Sequence, residues 1–147
     1  AYKIPHDSTE NVAYKIEHES KTFSIMTDVG APTENVNNII TQSNYLVIEA
    51  NYDDVMLRNG KYPQHLKERI TCGTGHMSNK QTADTLAQNF HEGLSHIWLC
   101  HLSEENNHPE LARKTIEFHL RGYGLIEGTD YNLTVLKRKI PTGPFEL

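Results

Sequence analysis

Short apolar runs alternate with amphipathic segments along this chain. Runs that alternate apolar and polar positions, or are too short and apolar for a helix, predict strands at residues 2–5, 12–17, 22–27, 45–49, 97–102 and 131–136. Apolar positions at helical spacing predict helices at residues 32–42, 53–58, 64–70, 79–93 and 109–121. A β-hairpin followed by repeated helix–strand units favours an α/β fold with a mixed sheet, whose strands are parallel wherever a helix crosses over.

The apolar run at 97–102 is the centre of this pattern. It leads into a polar loop, and Pro109 then opens the next helix. His101 therefore lies near the carboxyl end of a central strand. Ligands and active sites gather at that edge of open α/β sheets, so His101 is the first candidate functional residue.

Other polar groups follow the predicted strands in the same way. Asp28 and Glu49 come at the ends of two strands, His6 follows a third, and His76 lies in a loop just before a helix. Imidazoles and carboxylates are ligands for zinc and similar ions, and one carboxylate can bridge two ions that clamp a phosphodiester. The spacing contains neither a His-x-His pair nor a His-Glu-x-x-His helix, so these groups equally fit ordinary hydrogen-bonded or ion-paired residues.

Composition narrows the class of protein. The 147-residue chain carries a formal charge of −5, so it is not a general nucleic-acid binder, although the basic segment 137–139 could meet phosphates locally. Its two cysteines, Cys72 and Cys100, are too few for a disulfide framework and are expected to be reduced, buried thiols of a cytoplasmic protein. No apolar run reaches membrane length, so no membrane partner is expected.

Five motifs, in order, resemble the second half of a metallo-β-lactamase-fold hydrolase. They occupy residues 6–16, 27–30, 49–52, 75–78 and 100–103. Within this fold, the five motifs most resemble the nuclease branch, which includes ribonuclease Z and the WalJ/YycJ-like enzymes. Residues 101–112 are most similar to the WalJ/YycJ group. This resemblance concerns the fold as well as the site. It implies an αββα sandwich, of which this chain would form one mixed sheet with helices on one face.

The resemblance also implies roles for the candidate residues. His6 would ligate one divalent ion, Asp28 would bridge two, and His101 would ligate the second. Glu49 would orient His76, which would assist at the scissile phosphate or the leaving group. The implied cofactors are two divalent ions, zinc or manganese, and the implied activity is a metal-dependent phosphodiesterase or nuclease, with a DNA exonuclease favoured over an RNA-directed enzyme.

One departure from the family pattern limits these expectations. The signature His-x-His-x-Asp-His, which supplies most of the metal ligands, is absent from the 147 residues. Residues 1–147 are therefore expected to be a single, partial domain that is inactive in isolation. Its exposed sheet face would meet the missing N-terminal half or another copy of the chain.

Two alternatives remain open. The half-fold could be a non-catalytic binding module that dimerises through its bare sheet. The same metal platform could instead hydrolyse thioesters, lactones or lactams, but the pair Glu49 and His76 argues against this because those simpler hydrolases do not need it.

Overall fold

A computed structural model describes residues 1–147 as one six-stranded sheet with the strands in chain order. The strands are β1 Tyr2–Lys3, β2 Val12–His18, β3 Lys21–Met26, β4 Tyr45–Glu49, β5 His96–Cys100 and β6 Asn132–Val135. β1, β2 and β3 pair antiparallel, whereas β3, β4, β5 and β6 are parallel. The predicted hairpin followed by parallel crossovers is confirmed.

Five helices connect or flank the strands. They are α1 Glu34–Gln42, α2 Asp54–Asn59, α3 Gln64–Thr71, α4 Asn79–Asn89 and α5 Pro109–Gly122. None of them combines the length and the apolar character needed to span a bilayer.

Helix α4 shows where local signals succeed and where they fail. The predicted capping box is present, since the Ser78 hydroxyl accepts from the Gln81 N–H and the Gln81 side chain accepts from the Ser78 N–H. The sequence predicted that this helix ends near Gly93, but it ends at Asn89. Phe90 is extended there and its ring packs edge-on to Tyr131, at 6.0 Å between ring centroids, so tertiary packing ends the helix early.

The core lies between one face of the sheet and helices α1, α4 and α5. Leu46 and Ile48 of β4 and Ile97 and Leu99 of β5 alternate onto this face and are fully buried. The helices cover them with one apolar stripe each, formed by Val36, Ile39, Ile40, Ala83, Leu86, Ala112, Ile116 and Leu120. Burial of each large aliphatic side chain contributes about 1.5–3 kcal/mol to folding.

The opposite face of the sheet is also apolar. Tyr14 and Ile16 of β2 are 56% and 58% exposed, as the sequence led us to expect for a sheet without a second layer. Trp98 on the same face is only 2% exposed, because the C-terminal segment places the ring of Phe145 against it at 5.2 Å. The face is therefore open over β2 and covered over β5.

Both cysteines are free thiols. Cys100 at the end of β5 is partly buried, and burial raises the pKa of its thiol to about 12. The expectation of buried thiols is wrong for Cys72, which is exposed because it follows the surface helix α3.

Candidate metal centre

The carboxyl ends of the strands bring the candidate residues together at one edge of the sheet. Asp28 follows β3, Glu49 ends β4 and His101 follows β5, and these three strands are parallel neighbours. His6 arrives from β1, and His76 from the loop between α3 and α4. The structure thus gathers all five predicted site residues, although the roles suggested for them remain predictions.

Asp28 lies in the middle of the group. Its Oδ1 atom is 3.5 Å from Nε2 of His6, 3.8 Å from Nε2 of His101 and 3.9 Å from Nδ1 of His76. Ligand atoms of Asp28, Glu49, His76 and His101 all lie within 4.8 Å of one another. This cluster of imidazoles and carboxylates has the composition of a divalent metal site.

Glu49 is the buried anchor of the cluster, with a fully buried side chain. Its Oε2 accepts from the Asp28 N–H at 2.8 Å and lies 3.0 Å from Nδ1 of His101 and 3.3 Å from Nδ1 of His76. Its Oε1 accepts from the Met77 N–H at 2.9 Å. Both carboxylate oxygens of Glu49 therefore accept hydrogen bonds from within the protein.

The charge of Glu49 follows from the same contacts. Burial alone would raise the pKa of this carboxyl, but the hydrogen bonds from His101 and His76 outweigh it, and the pKa is lowered. The hydrogen bond to Glu49 in turn raises the pKa of His101, against the opposing effect of burial. Glu49 is thus an ionised carboxylate that contacts the imidazoles of His76 and His101.

Hydrogen bonds decide which ring nitrogens are free. A carboxylate can only accept, so Nδ1 of His101 donates to Glu49 and Nε2 of the neutral ring keeps its lone pair. His6 is held in the same way, because its Nδ1 lies 3.0 Å from the Gly75 carbonyl oxygen, which also only accepts. These free Nε2 atoms of His6 and His101 are the ring nitrogens that face Oδ1 of Asp28. The residues present therefore fit a bound divalent cation in donor type and in tautomer.

Two of these residues have left-handed backbones, with φ of 57° at Asp28 and 54° at His101. Residues other than glycine rarely adopt this conformation, and such strain clusters at functional sites. Two asparagine side chains hold the backbone in place. Asn11 Nδ2 donates to the Asp28 carbonyl at 2.7 Å, and Asn51 Nδ2 donates to the His101 carbonyl at 2.8 Å.

Sequence reasoning missed both asparagines and also Asp7. Asp7 Oδ1 is 3.4 Å from Nε2 of His6, and its Oδ2 accepts from Nε of Arg69 at 2.5 Å. That hydrogen bond from Arg69 lowers the pKa of the Asp7 carboxyl. Asp7 directly follows His6, and this adjacency was the only signal in the sequence.

A cleft of about 1110 Å³ opens over the cluster. His6, His76 and His101 line part of it, and the remaining lining comes from the α2–α3 connection, from α3, from the loop after His101 and from the residues around the end of β6. The cluster is therefore accessible from a space much larger than an ion needs.

No family model matches the chain. It is 32% identical over 142 residues to a protein named exodeoxyribonuclease YycJ of Bacillus anthracis, an alignment that covers 97% of this chain and 54% of the relative. It is also 32% identical over 133 residues to a protein named exodeoxyribonuclease WalJ of Streptococcus pneumoniae, covering 90% of this chain and 49% of that protein.

Over 90–97% of its length this chain is thus similar to proteins of the WalJ/YycJ group. A solved structure agrees on the fold: the metallo-β-lactamase-fold protein YhfI of Bacillus subtilis superposes with a TM-score of 0.62 over 92% of this chain and 44% of the other, at 18% identity. The mixed sheet with its helices is thus part of a metallo-β-lactamase fold. The chain spans about half the length of the curated WalJ/YycJ relatives that it matches.

Proposed function

We propose that this chain carries one half of the catalytic centre of a metal-dependent phosphodiesterase that degrades DNA from an end. The observation that supports it is the approach of His6 and His101 to one carboxylate oxygen of Asp28, at 3.5 and 3.8 Å. The exodeoxyribonuclease names of the WalJ/YycJ relatives favour DNA as the substrate.

Three side chains would hold the ions. His6 would ligate one divalent ion and His101 a second, both through Nε2, with Asp28 between them. Such ions, zinc or manganese, polarise a phosphodiester and stabilise the charge that develops on it. Glu49 keeps the His101 ring in the orientation and tautomer that present Nε2 to this position.

His76 would act on the leaving group. Its Nδ1 faces Glu49 at 3.3 Å, and the ring lines the cleft. With Nδ1 donating to the carboxylate, the protonated form of the ring would carry its second proton on Nε2 and pass it to the departing oxygen. Glu49 would fix this ring as a carboxylate fixes the histidine in other acid–base pairs.

The proposed centre is incomplete in these residues. An ion such as zinc takes about four ligands, and His6, Asp28 and His101 offer too few for two ions. We infer that the further ligands come from additional residues in a protein of the relatives' length. These residues would pack on the open sheet face around Tyr14 and Ile16. The 147-residue chain alone would then be inactive. A cytoplasmic location remains a prediction.

Hydrolysis assays test the proposal. The chain and a protein extended to the length of its relatives should be compared on bis-p-nitrophenyl phosphate and on end-labelled DNA, with zinc or manganese. We expect activity only in the longer protein, and its loss in Asp28→Asn but not in Glu105→Gln, a carboxylate that lines the cleft outside the cluster. The proposal is wrong if the longer protein is inactive with zinc and also inactive with manganese. The inference of an incomplete site is wrong if the 147-residue chain alone hydrolyses the substrates at the rate of the longer protein.

The non-catalytic alternative is tested on the same preparations. The open face at Tyr14 and Ile16 would also suit a second copy of the chain. A stable dimer without bound metal, seen by size-exclusion chromatography with metal analysis, would favour a scaffold over an enzyme.

A further inference from the structure

Two neighbouring loops at the carboxyl edge of the sheet are joined by backbone hydrogen bonds. One loop follows β5 and begins with His101, and the other follows β4. The Ser103 N–H donates to the Asn51 carbonyl at 2.7 Å, and the Asp53 N–H donates to the Asn106 carbonyl at 2.8 Å. The position of His101 therefore depends on the loop after β4.

The side-chain amide of Asn107 bridges these two loops and the start of α4. Its Nδ2 lies 2.9 Å from the Ala50 carbonyl oxygen and 3.0 Å from the Asn51 carbonyl oxygen. The amides of Asn107 and Asn79 also pair reciprocally, each Nδ2 donating to the other Oδ1 at 2.9 Å. The His108 N–H donates to Asn107 Oδ1 at 2.8 Å. Asn107 and Asn79 are only 6% and 1% exposed, so water does not compete for these hydrogen bonds.

Three consecutive carbonyls at the end of β4 are held by side chains. The Glu49 carbonyl accepts from the Thr82 hydroxyl of α4 at 2.8 Å, and the next two carbonyls accept from Asn107. Because a buried carbonyl without a donor is costly, the chain adopts the conformation in which these donors reach it. Donation from Asn107 thus fixes the backbone that directly follows Glu49.

The contacts that hold His101 come from this same segment. Oε2 of Glu49 lies 3.0 Å from Nδ1 of His101, and Asn51 Nδ2 donates to the His101 carbonyl at 2.8 Å. The left-handed backbone of His101, with φ of 54°, is unfavourable unless its surroundings hold it. Both residues that orient His101 therefore belong to the segment that Asn107 fixes.

We propose that Asn107 and Asn79 are positioning residues of the metal centre. By holding the carbonyls of residues 50 and 51, they keep Glu49 and Asn51 where these two side chains orient the ring and the backbone of His101. This rests on the proposed function, which it extends to residues that ligate no ion. All of the contacts involved join residues of this chain, so the role does not depend on the further ligands that the centre needs.

The tautomer of His101 tests this role without metal or activity. Long-range ¹H–¹⁵N spectra of the 147-residue chain are recorded in EDTA at alkaline pH, where imidazoles are neutral, and His101→Gln assigns the signals. We expect the parent ring to carry its proton on Nδ1, because this atom faces Glu49, and Asn107→Ala to shift the ring toward the Nε2–H tautomer. The His6 ring, which faces the Gly75 carbonyl, should not change. An unchanged His101 tautomer in folded Asn107→Ala overturns the proposal.

Metal affinity with a matched control separates positioning from general stability. Asn107→Ala should lower the affinity for zinc or manganese by about 10- to 100-fold in calorimetric titration, as the loss of an outer partner does. Ser43→Ala is the control, because its buried hydroxyl lies 2.7 Å from that of Ser24 near the amino end of β4, away from the cluster. Both variants should melt at a lower temperature than the parent, but Ser43→Ala should keep the parent affinity. When the parent binds either ion, equal affinities in the two folded variants overturn the proposal.

A milder variant covers the case in which Asn107→Ala does not fold. Asn79→Ala removes only the reciprocal amide and leaves the hydrogen bonds of Asn107 to the two carbonyls, so the same changes should appear at smaller size. In that case an unchanged His101 spectrum in Asn79→Ala overturns the proposal. A parent chain that binds neither ion removes the proposed metal centre, and the His101 tautomer in EDTA still decides the positioning role.

Discussion

Nδ1 of His101 lies 3.0 Å from Oε2 of Glu49, so one buried carboxylate orients an imidazole on the neighbouring strand. The family resemblance pairs Glu49 with His76 alone, whereas here the same oxygen faces both rings. Glu49 thus links the proposed acid to a proposed metal ligand. A change at this position should disturb both.

Replacing Glu49 with glutamine should weaken metal binding without removing a ligand. The amide would no longer enforce donation from Nδ1 of His101, so Nε2 would lose its fixed tautomer. Outer partners of this kind typically change metal affinity by about 10- to 100-fold, and calorimetric titration with zinc or manganese measures the loss. Glu105→Gln, which removes a carboxylate elsewhere in the cleft, is the control, and equal affinities in the two variants would contradict the role of Glu49.

Asp28→Asn should remove metal binding while leaving the fold intact. Asparagine tolerates the left-handed backbone at this position, where φ is 57°, but its amide is a poorer ligand than a carboxylate. We expect a loss of affinity larger than for Glu49→Gln and an almost unchanged melting temperature. Glu19→Gln removes a charge from another left-handed residue, with φ of 52° in the β2–β3 hairpin, and should change neither quantity. Retained affinity in Asp28→Asn would show that Asp28 is not a ligand.

His96 should make the stability of the chain depend on pH. Its ring stacks on Trp98 at 3.9 Å between centroids and its Nε2 lies 3.0 Å from the Thr134 hydroxyl, and burial lowers the pKa of the imidazole. The folded state therefore disfavours the protonated ring. This contribution is complete above the ordinary histidine pKa of about 6.5 and is lost as the pH falls below it.

Chemical denaturation across this range measures the effect. Between about pH 7 and pH 5 the free energy of unfolding should fall less in His96→Gln than in the parent chain. His18→Gln, at an exposed position at the end of β2, should follow the parent. Parallel curves for His96→Gln and the parent would rule out the contribution of His96.

Phe145→Ala should uncover Trp98. The Phe145 ring packs against Trp98 at 5.2 Å and against His96 at 5.7 Å on the sheet face that has no helices. Trp98 is the single tryptophan of the chain, so its emission should shift to longer wavelength when water reaches the ring. The variant should also self-associate more than the parent in sedimentation, because more of the apolar face is open. Leu147→Ala, at a 65% exposed residue, is the control and should change neither signal.

Local signals in the sequence were strong where a short pattern decides the structure. The apolar run at 45–49 is a strand with those bounds, and the capping box at Ser78 opens α4 as expected. The end of α4 was missed because Phe90 leaves the helix to pack on Tyr131, a partner 41 residues further along the chain that no local pattern contains.

By itself, the sequence determined the order of strands and helices and the polar residue that ends each strand, because periodicity and capping act over a few neighbouring positions. The tertiary structure alone decided that Glu49 supports an imidazole 52 residues away and that Asn11 and Asn51 hold the backbones of Asp28 and His101. The contacts of Glu49 and Asn51 with His101 join segments that meet only when parallel strands align their carboxyl ends, and the contact of Asn11 with Asp28 depends on the antiparallel pairing of β2 with β3. Their geometry depends on the packed sheet and not on any spacing along the chain.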